Sequence, residues 1–446
     1  MKRSISWRRR KMPTTFPEHT VAALAVATTE PLGRRAARKF WTWTHRWIGL
    51  IVGVYFVVAG LSGSLLAFWQ DIDELLNPNL MRVSPPREDA SYKSIDEILA
   101  AARAQFPDSV KVRTDTPVFV RLPRHRAGAV EIAYMTGLPS KDQLQEAKRT
   151  KDASKLDMGS IAGHSVFVDP YTALVKGERF GGWSLRPLTM PFVYMMMSLH
   201  CALLWEPFGR LTIAGVGLVL LISTIIGLCL WLPRNGSWGK AIRIKLGAKP
   251  ERVVYDIHKA LGVCFGVVLL VSIFSGMYMN FKPPWRALVS FFSPVRQLRT
   301  DFESEPANGR APLTASAAVA IADGAFPDGW LQTLLLPRGP QGVYVIGKHL
   351  EGEINQASTS RMLVIDQYSG KIFARQDPRE FSAGERFLDW QYPLHSGEAF
   401  GDAGRAFMAI FGLVPLTLYV TGFIRWRHKS RSRVLLGARE TDVARK

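Results

Sequence analysis

Charged residues vanish from this chain in four places. Trp47 to Trp69, Leu211 to Leu232, Ala260 to Phe281 and Ala406 to Ile424 contain no Asp, Glu, Lys or Arg. A helix needs roughly 20 apolar residues to cross the hydrocarbon of a bilayer at about 1.5 Å per residue, so each stretch can span it. Between the stretches the pattern shortens. Residues 117–122 and 130–134, and again 331–336 and 343–347, are alternating or largely apolar runs that read as partly buried strands. A helix begins at Ser94 and leads to Phe106-Pro107-Asp108; another covers Leu313 to Ala325 and leads to Phe326-Pro327-Asp328. Strand, turn, strand follows around Asp169 and around Asp366, and both aspartates suit turn stabilisation better than catalysis.

These coincidences are a repeat. At a constant offset of 213, His45, Gly49, Gly53, Val54, Ser62, Gly63 and Phe68 recur as His258, Gly262, Gly266, Val267, Ser275, Gly276 and Phe281, and Arg46 becomes Lys259. At an offset of 195, His200, Arg210, Gly217, Gly227 and Trp231 recur as His395, Arg405, Gly412, Gly422 and Trp426. Self-similarity of this kind marks a duplicated unit. The expectation is a membrane α-helical protein with four transmembrane helices and an internal two-fold repeat, each half carrying an outer domain of one helix and a small antiparallel sheet. Matched glycines permit close helix packing or close approach of a flat cofactor. The polar segment from Thr136 to Ile161 has no counterpart and reads as an inserted flexible loop.

The net charge of +20 raises nucleic-acid binding, but its location argues otherwise. Residues 1–44, 233–257 and 425–446 together supply 18 of those 20 charges, which leaves the two long interhelical regions nearly balanced. By the positive-inside rule both termini and the central loop are cytoplasmic and the long loops lie outside. The basic residues then report topology and contact anionic headgroups, with no nucleic-acid partner. The short apolar run Val21 to Ala27 does not make a removable signal peptide, so the first helix serves for targeting. Cys201, Cys229 and Cys264 form no CxxC and no disulfide framework.

The duplication sorts the nine histidines. His45 with His258, and His200 with His395, stand at matched places, the first pair at the cytoplasmic mouths of helices one and three, the second about ten residues before the charge-free cores of helices two and four. A pseudo-twofold packing makes two His₂ sites, one towards each face. Two imidazoles on opposed helices suit the axial positions of a b-type haem, although imidazole alone does not distinguish haem from copper or another metal. A single interfacial His beside Trp and Arg is ordinarily a membrane anchor, and it is the duplication of both pairs that argues for ligands. Arg46 and Lys259 on the inner side, and Arg210 and Arg405 on the outer, could pair with propionates. Trp43, Trp47, Trp205, Tyr194 and the Met195 to Met197 run could pack against porphyrin, the methionines reading better as ordinary packing. No CxxCH is present, so covalent haem is excluded. His19 and His428 in the basic tails, and His125, His164 and His349 in the outer regions, read as surface residues. No general acid, base or nucleophile is singled out.

Together, HRWIGLIVGVYFVVAGLSG at His45, FVDPYTALVKG at Phe167, LHCALLWEPFGR at Leu199, DIHKALG at Asp256, VIDQYSGKI at Val364 and PLHSGEAFGDAGR at Pro393 resemble the PepSY-associated transmembrane family. The resemblance implies a Gram-negative inner-membrane protein, often iron-regulated, with two periplasmic α+β PepSY-like domains. It further implies a haem-containing reductase that releases iron from ferric siderophores, with His45, His200, His258 and His395 as ligands to haem b, two per chain. With no Rossmann or flavin motif in the chain, the donor would be a cytoplasmic protein, a quinol or a diffusible reductant.

The domain reading is a basic tail 1–39, helix one in 40–70, a first PepSY-like domain 71–188 and an interfacial segment with helix two in 189–232. A cytoplasmic loop 233–257, helix three in 258–282, a second PepSY-like domain 283–383, an interfacial segment with helix four in 384–426 and a tail 427–446 complete it. Two other classes fit the membership. A non-enzymatic regulator of a protease or signalling partner leaves the matched histidines without a role, and a siderophore or haem transporter expects polar or broken helices near the midplane, where these cores are uncharged.

Overall fold

The computed structural model describes residues 32–105, 118–136, 162–184, 190–205, 208–232, 242–296 and 301–444, with positions 146, 149, 150, 239, 298 and 299 besides. The tail through residue 31 with His19, the Phe106 to Asp108 motif, most of the 136–161 insert and residues 233–238 lie outside the described residues.

The helical part contains α1 (Leu32–Ile51), α2 (Gly53–Leu66), α3 (Trp69–Leu76) and, after the first helix and strands of the outer part, α5 (Phe192–Ala202), α6 (Phe208–Trp231), α7 (Pro250–Cys264) and α8 (Gly266–Asn280). It closes with α10 (Ala383–Asp389), α11 (Gln391–Ser396), α12 (Gly401–Phe411) and α13 (Leu413–Ala444). Among the described residues two helices are long and apolar enough to cross a membrane, α6 and the stretch 398–431 that joins α12 to α13, and the number is four if each of two bent pairs is one span. The bent pairs are α1 with α2, at 54°, and α7 with α8, at 61°. Both bends fall at glycines matched in the repeat. A Cβ on Gly53 would stand 2.9 Å from Tyr419 Cδ2 and one on Gly266 2.7 Å from Leu228 Cδ2, so neighbouring side chains rest on bare backbone where each helix turns.

The outer part holds α4 (Ile95–Ala104) with β1 (Val118–Arg121), β2 (Val130–Thr136), β3 (Ala162–Val168) and β4 (Val175–Ser184), then α9 (Ala315–Ala325) with β5 (Trp330–Leu335), β6 (Val343–His349), β7 (Arg361–Asp366) and β8 (Ile372–Gln376). These strands lie where the short apolar runs predict them. The two separate sheets expected from the sequence are one: eight antiparallel strands in the order β4-β3-β2-β1-β5-β6-β7-β8. Pairing of β1 with β5, Val120 opposite Leu334, removes two open edges that separate sheets would expose. One apolar core serves both halves, with Ile98, Leu99 and Ala102 of α4 beside Ala318 and Ala322 of α9 over Val120, Ile132, Leu334 and Ile346. Ser94 caps α4 in a reciprocal capping box with Glu97, and Asp96 reaches across to accept from the backbone N–H of Ala315 and Ser316 at the start of α9.

Asp169 and Asp366 hold their turns, accepting from the backbone N–H of Tyr171 and Tyr368. The sheet is locked to the bundle by a buried ion network. Arg179 on β4 donates to both oxygens of Asp73 on α3, 2.8 and 3.0 Å away, and lies 5.2 Å over the Tyr194 ring of α5. Glu131 on β2 accepts from Arg121 and from the Ser165 hydroxyl.

Candidate functional site

Each of the four matched histidines sits against a neighbouring helix and meets it the same way. On α1, His45 Nδ1 lies 2.9 Å from the Ser223 carbonyl and 3.0 Å from its hydroxyl, both on α6. On α7, His258 Nδ1 lies 3.0 Å from the Leu418 carbonyl and 2.9 Å from Thr421 Oγ1 of α13. On α5, His200 Nδ1 lies 3.0 Å from the Ala59 carbonyl and 3.2 Å from Ser62 Oγ of α2. On α11, His395 Nδ1 lies 3.0 Å from the Ser272 carbonyl and 3.0 Å from Ser275 Oγ of α8. A carbonyl oxygen only accepts, so Nδ1 carries the proton in every ring, and Nε2 is left with its lone pair. Ala59 and Ser272 differ by 213 in number and Ser223 and Leu418 by 195, the two offsets of the sequence repeat.

The rings come together in the expected pairs. His200 and His395, on the sheet side of the bundle, have ring centres 5.9 Å apart at 66°; His45 and His258, at the opposite end, are 6.4 Å apart at 75°. Two imidazoles that face one ion from opposite sides, with bonds of about 2.0 Å and each ring centre about 1.1 Å behind its nitrogen, stand roughly 6.2 Å apart centre to centre. Both pairs match that spacing. Among the described residues no three or more His, Cys, Asp or Glu side chains gather as a metal site, so two imidazoles are the donor set at each level, and a further donor group must complete any coordination. A porphyrin, which brings four nitrogens in a plane and takes two axial protein ligands, fits that set.

Glycine gives the rings their room. A Cβ would come 3.0 Å from His200 Cε1 at Gly63, 2.9 Å from His45 Cε1 at Gly227, 3.3 Å from His395 Cε1 at Gly276 and 3.6 Å from His258 Cε1 at Gly422. A cavity of about 230 Å³ opens beside the sheet-side pair, walled by Tyr55, Phe56, Gly60, Gly412 and Met197, with Arg210 on its lining. Gly60 and Gly412 are where α2 meets the 398–431 helix backbone to backbone, a Cβ on Gly60 standing 2.6 Å from the Gly412 carbonyl.

The other candidates separate. Arg405 is engaged with the Ala67 carbonyl, Asp71 and Asp402 and lies 4.3 Å over the Phe68 ring. Lys259 Nζ lies 3.2 Å from Asp256, whose fully buried carboxylate also accepts from Arg252. Arg46 adjoins His45 and is half-buried. Trp47 is 37% and Trp205 60% exposed, and Trp43 is exposed as well, so these rings face outward; Tyr194 belongs to the Arg179 network. Two histidines read as surface residues are not. His349 is 2% exposed, with Nδ1 2.8 Å from Glu353 and its ring 5.0 Å from that of Trp330, because β6 is covered on both faces; His164 is half-buried, stacked on Tyr134. What sequence reasoning missed is the set of hydroxyls at Ser62, Ser223, Ser275 and Thr421. The recurrence of Ser62-Gly63 as Ser275-Gly276 was the available signal.

The profile of a family described as PepSY-associated TM region matches residues 42–429. No curated protein matches the chain.

Proposed function

The chain belongs to the PepSY-associated TM region family, and from that premise we propose that it is a transmembrane di-haem b-type reductase, passing electrons across the inner membrane to a ferric siderophore or similar ferric chelate and releasing Fe(II). The observation that carries this reading is the two histidine pairs, each ring pinned through Nδ1 with Nε2 left to bind, at two levels of one bundle. In this reading each bent pair is one span, so four spans form two halves about a pseudo-twofold axis. The sheet is periplasmic, and the basic tails and central loop are cytoplasmic in keeping with their charge.

When bound, haem supplies one-electron exchange between ferric and ferrous iron at each level. The chain holds and orients it: His45 and His258 at one level, His200 and His395 at the other, with Arg46 and Arg210 as cations suited to carboxylates. Phe56, Leu269, Phe411 and Val414 pack together as one apolar cluster of the bundle. From His258 to Ser272, whose carbonyl accepts from His395 Nδ1, the bent helical path is at most about 21 Å long, whereas a whole span covers roughly 30 Å, so two stations shorten the interval an electron must cross. Reduction is itself the release step, because Fe(II) is softer than Fe(III) and hard oxygen chelators hold it less tightly. Electrons enter from a separate cytoplasmic protein or a quinol.

The test is anaerobic mixing of the dithionite-reduced protein, freed of excess reductant, with ferric hydroxamate, catecholate or citrate complexes in the presence of a chromogenic Fe(II) chelator. Reoxidation of the protein in step with Fe(II) capture is expected. A reduced protein that ferricyanide reoxidises but none of the ferric chelates does would overturn the substrate assignment.

A further inference from the structure

Three hydroxyls beside the histidines are costly where they stand. Ser62, Ser275 and Thr421 are 4%, 0% and 6% exposed, on helix faces where alanine would fit the same space, favour the helix and bury no polar atom. Each has already committed its own hydrogen to its helix: Ser62 Oγ donates to the Val58 carbonyl at 2.7 Å, Ser275 Oγ to Val271 at 2.7 Å, and Thr421 Oγ1 to Thr417 at 2.6 Å. What each oxygen retains is acceptor capacity, and it is aimed at a histidine Nδ1 that a backbone carbonyl also faces. The N–H therefore sits in a fork of two acceptors within a dry environment, where such bonds are strengthened.

We propose that Ser62, Ser275 and Thr421 are positioning residues that fix the tautomer and orientation of His200, His395 and His258 and, by drawing on Nδ1–H, raise the donor strength of Nε2 and lower the reduction potential of the iron it binds. The second half rests on the haem reading; the tautomer does not. The geometry divides the effect by centre: Ser62 and Ser275 act on the sheet-side pair, and Thr421 on the opposite one. A stronger imidazole donor favours the ferric state, and outer hydrogen bonds to metal-bound histidine are commonly worth tenfold or more.

The experiment is a spectroelectrochemical titration of the full-length, detergent-purified protein and of Ser62→Ala, Ser275→Ala, Thr421→Ala and Ser275→Thr. Ser62→Ala and Ser275→Ala should raise the midpoint of the same wave by about tenfold in the one-electron equilibrium, about 59 mV, leaving the other wave in place. Thr421→Ala should raise the other wave alone, and Ser275→Thr, which keeps a hydroxyl at that position, should retain the wild-type value. Loaded protein whose waves do not move, or move together in every variant, overturns the proposal and leaves the haem reading standing. If the wild type carries no haem, that reading falls instead, and nitrogen-15 NMR of histidine-labelled protein decides the remainder: Nδ1-protonated rings at His200, His258 and His395 are expected, and Nε2-protonated rings overturn it.

Discussion

Gly227→Ala places a methyl group against the His45 ring, which cannot step aside. The new Cβ would lie 2.9 Å from His45 Cε1 and 3.5 Å from both ring nitrogens, while the ring is tethered at Nδ1 to the Ser223 carbonyl and hydroxyl. Ordinary carbon contacts begin near 3.4 Å, so the ring must retreat by about half an ångström and misdirect Nε2. Overpacking of this kind costs about 1–3 kcal/mol, which at about 1.4 kcal/mol per decade is roughly a 5- to 140-fold loss of haem affinity at that level. Gly422→Ala is the matched control, because its Cβ would meet His258 Cε1 at 3.6 Å, ordinary contact against the other ring of the same pair. Both substitutions stiffen a helix to a similar degree, so helix stability does not separate them. The assay is haem transfer to excess apomyoglobin, followed optically, with thermal melting in parallel. Gly227→Ala should lose haem from one centre far faster than wild type while Gly422→Ala stays near it. Equal behaviour of the two variants would refute the reasoning.

Other consequences are checked more briefly. Arg179→Ala strands the Asp73 carboxylate, itself 2% exposed, and should destabilise the protein by about 3–5 kcal/mol in a chemical melt, with Asp73→Asn in the same background recovering part of the loss. Three carboxyls, Asp328 and Asp366 in the outer part and Glu385 on α10 beside it, titrate low. Hydrogen bonds from Arg296 hold Glu385 at about 2, those from Arg361 and Arg379 hold Asp328 at about 2, and for Asp366 burial pushes upward but bonds from Ser369, Glu305 and Tyr368 bring it to about 2. Because these groups bind protons more readily unfolded, their stabilisation is complete above the ordinary values of 3.8 and 4.5 and is lost as the pH falls towards 2. Far-UV circular dichroism in detergent should show sheet unfolding across that window, and Glu385→Gln should flatten its slope; an unchanged slope would remove Glu385 from the account.

The apolar helices and the pairing of the histidine rings were legible because duplication leaves a signal that a single chain displays to itself. The offsets 213 and 195 matched His45 with His258 and His200 with His395, and the rings meet in that pairing. The strands were legible from alternation, but their union was not. Nothing local in Val118 to Arg121 or Trp330 to Leu335 says that two runs some two hundred residues apart share an edge. Polar character misled at the end of β6, where His349 reads as a surface residue and the apolar run stops at Gly347. Lys348 and His349 are both 2% exposed, Lys348 because it binds Asp323 and the Phe326 carbonyl, His349 because Glu353 and Trp330 cover it. The bends were hidden because Gly53 and Gly266 look in sequence like any small residue at a helix contact, and what turns the chain is the neighbouring helix that packs on them.

The most direct measurement is the visible spectrum of the detergent-purified chain from haem-replete cells, oxidised and dithionite-reduced, with a pyridine haemochrome count on wild type, His258→Ala and His395→Ala. A sharp low-spin b-type spectrum at two haems per chain, falling to one in each variant with different bands lost, is the expected result. A colourless wild-type protein, or a haem content that neither substitution changes, would contradict the assignment of the two histidine pairs as haem ligands.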